Sequence, residues 1–259
     1  MTPSWVGRRD VELTVLGSSG GCPGPGNPAS GYLVTHDGTA IWLDAGSGTF
    51  MRLMEHANPG ALDAVVISHV HTDHCADLIA LYGYMAYGPS GRIPVPVYVP
   101  EGTVEPIAAF VRAEAEHVFF MTLEFHVVAD GDEVDVGGIR LRFAAADHPV
   151  PTMAVRVEAG GRSLAYSGDT GPGGGYAALA AGADVALCEA TMQGERGPQT
   201  YPYHLTAAEC GMLARDAGVG RLIVTHLAPT LDPETSLAEA AASLGHTPEL
   251  AVPGMTTTI

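Results

Sequence analysis

Apolar residues fall along the chain in short runs of two kinds, and the two kinds alternate. Residues 11–16 are apolar enough for a buried strand. Residues 32–35 and 40–43 flank His36-Asp37-Gly38, a turn signal, and predict a hairpin. Residues 49–56 have helical spacing that stops at Asn58-Pro59. Residues 64–68 predict a short buried strand, 76–87 a helix closed by Gly88-Pro89, 95–99 a strand and 104–115 a helix. Short strands are predicted near 123–128, 133–136 and 139–145, and a second hairpin joins 154–157 to 163–166 across Gly160-Gly161. Helices over 176–181, 206–217 and 234–244 surround strands at 185–188 and 222–225. Hairpins mixed with helices favour an α/β sandwich over a regularly alternating parallel sheet. No repeat is visible among the residues and no low-complexity linker divides them, so residues 1–259 are expected to form one domain.

Hydrophobic residues make up 46% of the 259, enough for a substantial core. Charged residues are 16%, against about 25% in ordinary soluble domains, and the 33 glycines foretell many tight turns. The formal charge is −17, with 12 Lys and Arg in no run or stripe. Affinity for long nucleic acids comes mostly from cations placed on phosphates. Such polymers are expected to be repelled, and the expected partner is a small molecule. Cys22, Cys75, Cys188 and Cys210 are scattered, which predicts four buried, reduced thiols, with Cys75 a candidate metal neighbour because it follows His74. Residues 1–12 lack the apolar stretch of a secretory signal, and no apolar run reaches the roughly 18 residues that span a bilayer. A cytoplasmic protein away from membranes is expected. Gly171 to Gly175 is glycine-rich but a weak phosphate-binding signal by itself.

Residues 65–74 carry the chemistry. Val65-Val66-Ile67-Ser68 reads as a buried strand, and His69, His71, Asp73 and His74 follow within six positions. Neutral imidazole and carboxylate suit zinc and similar divalent ions. Bonds of about 2.0–2.1 Å demand tight convergence, which a loop at a strand end permits. One histidine there would pass for a solvated loop residue. Three histidines with an aspartate point to a metal.

This HxHxDH pattern resembles the signature of the metallo-β-lactamase superfamily, and further segments match in order. Asp44, in Trp42-Leu43-Asp44-Ala45-Gly46, is similar to an early aspartate that orients a ligand from behind. His148 in Ala146-Asp147-His148-Pro149, Asp169 in Tyr166-Ser167-Gly168-Asp169-Thr170 and His226 in Ile223-Val224-Thr225-His226-Leu227 are similar to the next ligand, the bridging carboxylate and the last ligand. The resemblance implies a four-layer αββα sandwich with metals at one edge of its sheets. It implies one divalent ion on His69, His71, His148 and Asp169, and a second on Asp73, His74, Asp169 and His226. Zinc is the expected ion, with manganese or iron as alternatives. Two such ions about 3.5–4 Å apart can share a hydroxide, lower its pKa and stabilise charge on the attacked centre. Ligating imidazoles also need acceptors that fix their tautomers, and Asp44 is the candidate for that task.

Tyr203-His204-Leu205-Thr206-Ala207-Ala208-Glu209 resembles the segment of ribonuclease-Z-like phosphodiesterases that carries an additional catalytic histidine. The resemblance implies that His204 stabilises the transition state or protonates the leaving oxygen, and that Asp73 and Asp169 complete the catalytic set. Thr206 and Glu209 form a T-x-x-E capping box, so Glu209 is read first as a helix cap. That helix start would favour an anion such as phosphate near His204. The long tRNA-processing enzymes of this branch insert a flexible arm between the third ligand and the bridging aspartate. His148 and Asp169 are only 21 positions apart (169 − 148), room for one hairpin. The chain therefore looks like the short, armless relatives, among them bacterial cyclic-nucleotide phosphodiesterases.

The expected reaction is hydrolysis of a small phosphodiester, with a cyclic nucleotide as first choice. A thioester, lactone or other ester is the alternative, because the same metal pair polarises a carbonyl. Residues 78–87 would line a pocket for it or, as the plainer reading, form an ordinary buried helix. A tRNA 3′ endonuclease and an inactive metal-binding homologue rank below, and a di-iron redox protein lowest. Arg196 and Tyr201 are candidates for touching a substrate anion, with idle surface placement the plainer reading. His36, His56, His117, His126 and His246 are expected on the surface. Relatives are commonly dimers, so a homodimer is expected, and loops 88–92 and 191–203 are expected to set specificity.

Overall fold

The interior strands of this chain are apolar along their whole length, as strands covered on both faces must be. β4 (Ala64–Val66) and β11 (Val185–Glu189) are buried at every position, whereas β8 (Ile139–Ala145), nearer an edge, buries Ile139, Leu141 and Phe143 and exposes Arg140 and Arg142. The computed structural model describes residues 10–89, 94–114 and 117–259. Its first sheet contains β1 (Glu12–Gly17), β2 (Gly31–His36), β3 (Thr39–Leu43), β4, β5 (Val95–Val99) and β6 (Leu123–Val127). The second contains β7 (Glu133–Val136), β8, β9 (Met153–Ala159), β10 (Arg162–Tyr166), β11, β12 (Arg221–Thr225) and β13 (Glu249–Leu250). β14 (Thr256–Thr258) returns to the first sheet beside β1.

The strand orders are β14-β1-β2-β3-β4-β5-β6 and β13-β12-β11-β10-β9-β8-β7. From β14 and from β7, each sheet runs through three antiparallel pairings and then three parallel ones. The two halves thus repeat one another in space, although the residues show no repeat. Between the sheets Leu13, Tyr32 and Ile41 meet Phe143, Leu164 and Ile223. Outside the first sheet lie α1 (Thr49–His56), α2 (Thr72–Cys75), α3 (Leu78–Tyr87), α4 (Val104–Phe110) and α5 (Val118–Thr122), where Phe50, Leu81 and Phe119 pack on Trp42 and Val97. Outside the second lie α6 (Tyr176–Ala180), α7 (Ala207–Asp216) and α8 (Pro233–Leu244). This is the expected αββα sandwich. Among the described residues no helix is long and apolar enough to cross a membrane.

Three local expectations need correction. The helix predicted over 76–87 starts only at Leu78. Asp77 is drawn out of it because its amide donates to the Ala45 carbonyl at 2.8 Å and its carboxylate caps α1 at the Phe50 amide, also at 2.8 Å. The helix predicted over 104–115 stops at Phe110, since Arg112 takes a left-handed φ of 52°; residue 115 lies outside the described residues. Cys22 is exposed, on a glycine-rich loop with no core beneath it, while Cys75, Cys188 and Cys210 are buried. Of the five histidines expected on the surface, His246 is exposed and His36, His56, His117 and His126 are partly exposed. In the loop after α3, residues 90–92 lie outside the described residues.

Candidate metal centre

Every candidate ligand sits just beyond the end of a strand, and the parallel strands bring those ends to one edge, where α/β sheets usually bind ligands. β4 leads into His69, His71, Asp73 and His74; β10 into Asp169; β12 into His226; and His148 lies in the turn from β8 to β9. Two sets converge. His69, His71, His148 and Asp169 bring one ligand atom each to within 4.8 Å of one another, and so do Asp73, His74, Asp169 and His226. These are the two quartets the resemblance implied. His204 falls beside them, with Glu189 and His226.

The spacings fit a cation. A tetrahedral ion with bonds of about 2.0–2.1 Å separates its ligand atoms by about 3.3–3.4 Å. In the first set His71 Nδ1 lies 3.0 Å from His69 Nε2 and 3.2 Å from His148 Nε2, with Asp169 Oδ2 at 3.7 Å from His69 and 4.0 Å from His148. In the second, His74 Nε2 lies 3.1 Å from both His226 Nε2 and Asp169 Oδ1, and Asp73 Oδ2 lies 3.3 Å from His226.

The outer nitrogens decide what the inner ones carry. His74 Nδ1 donates to the Asp44 carboxylate at 2.7 Å, and His148 Nδ1 to the carbonyl of Tyr203 at 3.2 Å. Neither acceptor can donate. Ser68 Oγ gives its hydrogen to Asp44, so it accepts from His69 Nδ1 at 3.0 Å. Thr191 Oγ1 gives its hydrogen to Glu189, so it accepts from His226 Nδ1 at 2.8 Å. The four Nε2 atoms are left as lone pairs, those of His69 and His148 facing His71 Nδ1 and those of His74 and His226 facing each other, which is the arrangement a cation would satisfy. Asp169 Oδ1 adds to this: it is buried and has no hydrogen-bond donor among the described residues.

Electrostatics agree. Burial drives the pKa of His69 well below its usual value, leaving a neutral ligand. Burial pulls on His74 too, but the carboxylates of Asp169 and Asp44 prevail and hold its pKa well above the usual value. Burial would raise Asp73 and Asp169, yet the surrounding histidines hold both below the ordinary carboxylate range. The Cys75 thiol is pushed up to about 12 by burial and donates to the Val70 carbonyl, so it is no thiolate ligand.

Two glycines let the chain close on the centre. A Cβ on Gly46 would lie 2.1 Å from the Asp73 carbonyl, and one on Gly20 would lie 2.5 Å from the His226 carbonyl. Gly21 donates its amide to Asp73 Oδ2 at 2.8 Å. Asp44 and His226 hold left-handed φ values of 55° and 56°, unusual backbone for residues other than glycine and a common mark of functional positions.

Asp44 lies behind His74. Its buried carboxylate accepts from the Ser68 amide and Tyr166 hydroxyl, both at 2.6 Å, and from Ser68 Oγ at 2.8 Å, besides His74. Asp44→Asn should leave a donor facing donors, at about 1–3 kcal/mol per unsatisfied group. It should also weaken metal binding about 10–100-fold, the usual effect of removing an orienting partner. Chelator competition measures this, and wild-type affinity in the variant would contradict it.

Sequence reasoning missed Glu189. It is fully buried at the end of β11 and accepts from His204 Nδ1 at 2.9 Å, the Thr170 amide at 2.8 Å and Thr191 Oγ1 at 2.6 Å. A carboxylate closing an otherwise apolar strand was the available signal, since a buried charge needs partners. Glu209 forms the capping box with Thr206. Arg196, read as surface, is three-quarters buried against Glu209, while Tyr201 is half-exposed with its ring 5.6 Å from that of His204.

Residues 39–227 match the family described as the β-lactamase superfamily domain. An uncharacterized protein of Mycobacterium tuberculosis, Rv1339, is 36% identical over 240 residues, covering 90% of this chain and 86% of its own length. A ribonuclease Z of Mycobacterium bovis is 31% identical over 246 residues, covering 86% of this chain and 88% of its own. Among solved structures, the metallo-β-lactamase fold protein YhfI of Bacillus subtilis superposes with a TM-score of 0.87 at 24% identity, covering 96% of this chain and all of its own. By fold, ligand-like geometry and sequence, the chain belongs to the metallo-β-lactamase superfamily, among its ribonuclease-Z-like hydrolases.

Proposed function

We propose that the chain is a two-metal hydrolase of small phosphodiesters, with a 3′,5′-cyclic nucleotide as the first substrate to test. His69, His71, His148 and Asp169 would hold one ion, and Asp73, His74, Asp169 and His226 the other, with zinc proposed ahead of manganese or iron. When bound, such a pair supplies Lewis acidity toward phosphoryl oxygens and a water nucleophile active at neutral pH.

The observation that carries the choice of substrate is His204. Its Nδ1 is anchored on Glu189 and lies 4.0 Å from Asp169 Oδ2, which supports a proton-donating role beside both ligand sets. Burial opposes its protonation, but the Glu189 carboxylate prevails and raises its pKa. An alkoxide leaving from phosphorus needs a proton, whereas a thiolate leaving from a thioester does not. The segment between His148 and Asp169 supports a small substrate. It is spent on the β9–β10 hairpin, with no arm to hold a long RNA, and the charge of −17 gives little to grip one.

One feature supports a carbon-centred ester instead. A cavity of about 260 Å³ lies against the loop of His71, lined by Val70, Cys75, Ile79, Ile107 and Phe110, and its apolar wall would suit an acyl chain.

The test is turnover of 3′,5′-cyclic AMP against an acyl thioester by zinc- or manganese-loaded protein, with Asp169→Ala as control. Release of AMP, lost in the control, is the expected result. Thioester cleavage without diester cleavage would overturn the reading.

A further inference from the structure

We infer that Arg196 is a positioning residue for His204, acting through the backbone on which His204 is carried; the inference rests on the proposed role of His204 at the leaving oxygen. Arg196 Nε and Nη2 donate to the two carboxylate oxygens of Glu209, the latter at 2.7 Å. Nη2 also donates to the carbonyl of His204, and Nη1 to the carbonyl of Tyr201 at 3.1 Å. Four of the five guanidinium hydrogens are thereby committed within the protein. A guanidinium so occupied has little left for a substrate anion.

The stretch it binds is held at every carbonyl from 203 to 205. The Tyr203 carbonyl accepts from His148 Nδ1, and the Leu205 carbonyl from the Met192 amide, each at 3.2 Å. The His204 carbonyl between them is held by Arg196. Two residues on, the Thr206 amide donates to Glu209 at 2.8 Å, so the carboxylate that Arg196 grips also starts α7. Glu189 fixes the rotation of the His204 ring, but where the ring begins depends on the backbone at 204, and Arg196 is the tie nearest that point. Lysine cannot replace it, because one ammonium lacks the planar fork that spans a carboxylate and two carbonyls.

The test compares two diesters that differ only in the leaving group, thymidine 5′-phenyl phosphate and thymidine 5′-(p-nitrophenyl) phosphate, on metal-loaded wild type, Arg196→Met, Arg196→Lys and His204→Ala. p-Nitrophenolate departs without a proton; phenolate gains from one. Arg196→Met is expected to lower kcat about 10–100-fold on the phenyl ester and less than about threefold on the p-nitrophenyl ester, at unchanged KM, within the range of a misplaced general acid. Arg196→Lys should fall between, and His204→Ala should show the same selectivity. The hydrogen-bonded Nδ1 proton of His204, identified in NMR spectra by its absence in His204→Ala, should exchange faster with solvent in Arg196→Met. Equal losses on both esters, or a change in KM alone, would overturn the inference if His204→Ala remains selective. Unselective His204→Ala would overturn the role of His204 and the inference with it. Unchanged exchange of the Nδ1 proton would also overturn the inference, whichever ester is turned over.

Discussion

On the proposed two-metal reading, Asp169→Asn should abolish metal binding and lower diester turnover about a thousandfold or more, since several kcal/mol of charge stabilisation vanish and each 1.36 kcal/mol is tenfold. Asp169 is the one residue common to both ligand sets. Its Oδ1 faces His74 and His226, and its Oδ2 faces His69 and His148. The amide keeps the shape of the side chain but replaces one oxygen with a donor and removes the charge that helps offset two cations. Elemental analysis after gel filtration, with circular dichroism to confirm the fold, measures the effect. Wild-type metal content in the variant would contradict the shared role.

His204→Ala is expected to cost about 10²–10⁴ in kcat on substrates with alkoxide leaving groups, the usual range for general acid catalysis, while leaving metal content unchanged. His204 belongs to neither quartet, and its ring stacks 5.9 Å from His226 without replacing it. The sign of the pH dependence follows from the raised pKa. Although burial opposes it, the Glu189 carboxylate keeps His204 protonated above the usual histidine range. The acid is thus present at low pH and is lost as pH rises through that raised value. Wild-type kcat on a phenyl ester should therefore show an alkaline limb that is absent in His204→Ala. An unchanged limb in the variant would assign it to another group.

The candidate ligands were legible because they are chemically dense and each follows an apolar strand. Their convergence was not a local matter: His74 and His226 meet because β4 and β12 end at the same edge of facing sheets, joined there by the 2.6 Å contact between Tyr32 and Thr225 across the layers. What stayed hidden had no local pattern. Ser68, Thr191 and Tyr166 act through single hydroxyls, which carry no periodicity. β14 is Thr256-Thr257-Thr258, without an apolar residue, and exists because β1 offers it an edge more than 240 positions away. Glu189 was masked by the apolar strand it closes. Arg196 looked like a surface residue because its partners, Tyr201, His204 and Glu209, are themselves polar or backbone groups.

The most direct test of the metal centre is an anomalous difference map from crystals grown with zinc, collected on both sides of the zinc absorption edge. Two peaks are predicted, one among His69, His71, His148 and Asp169 and the other among Asp73, His74, Asp169 and His226, with Asp169 between them. A single peak, a peak outside these residues, or none at saturating zinc would contradict the two-metal account.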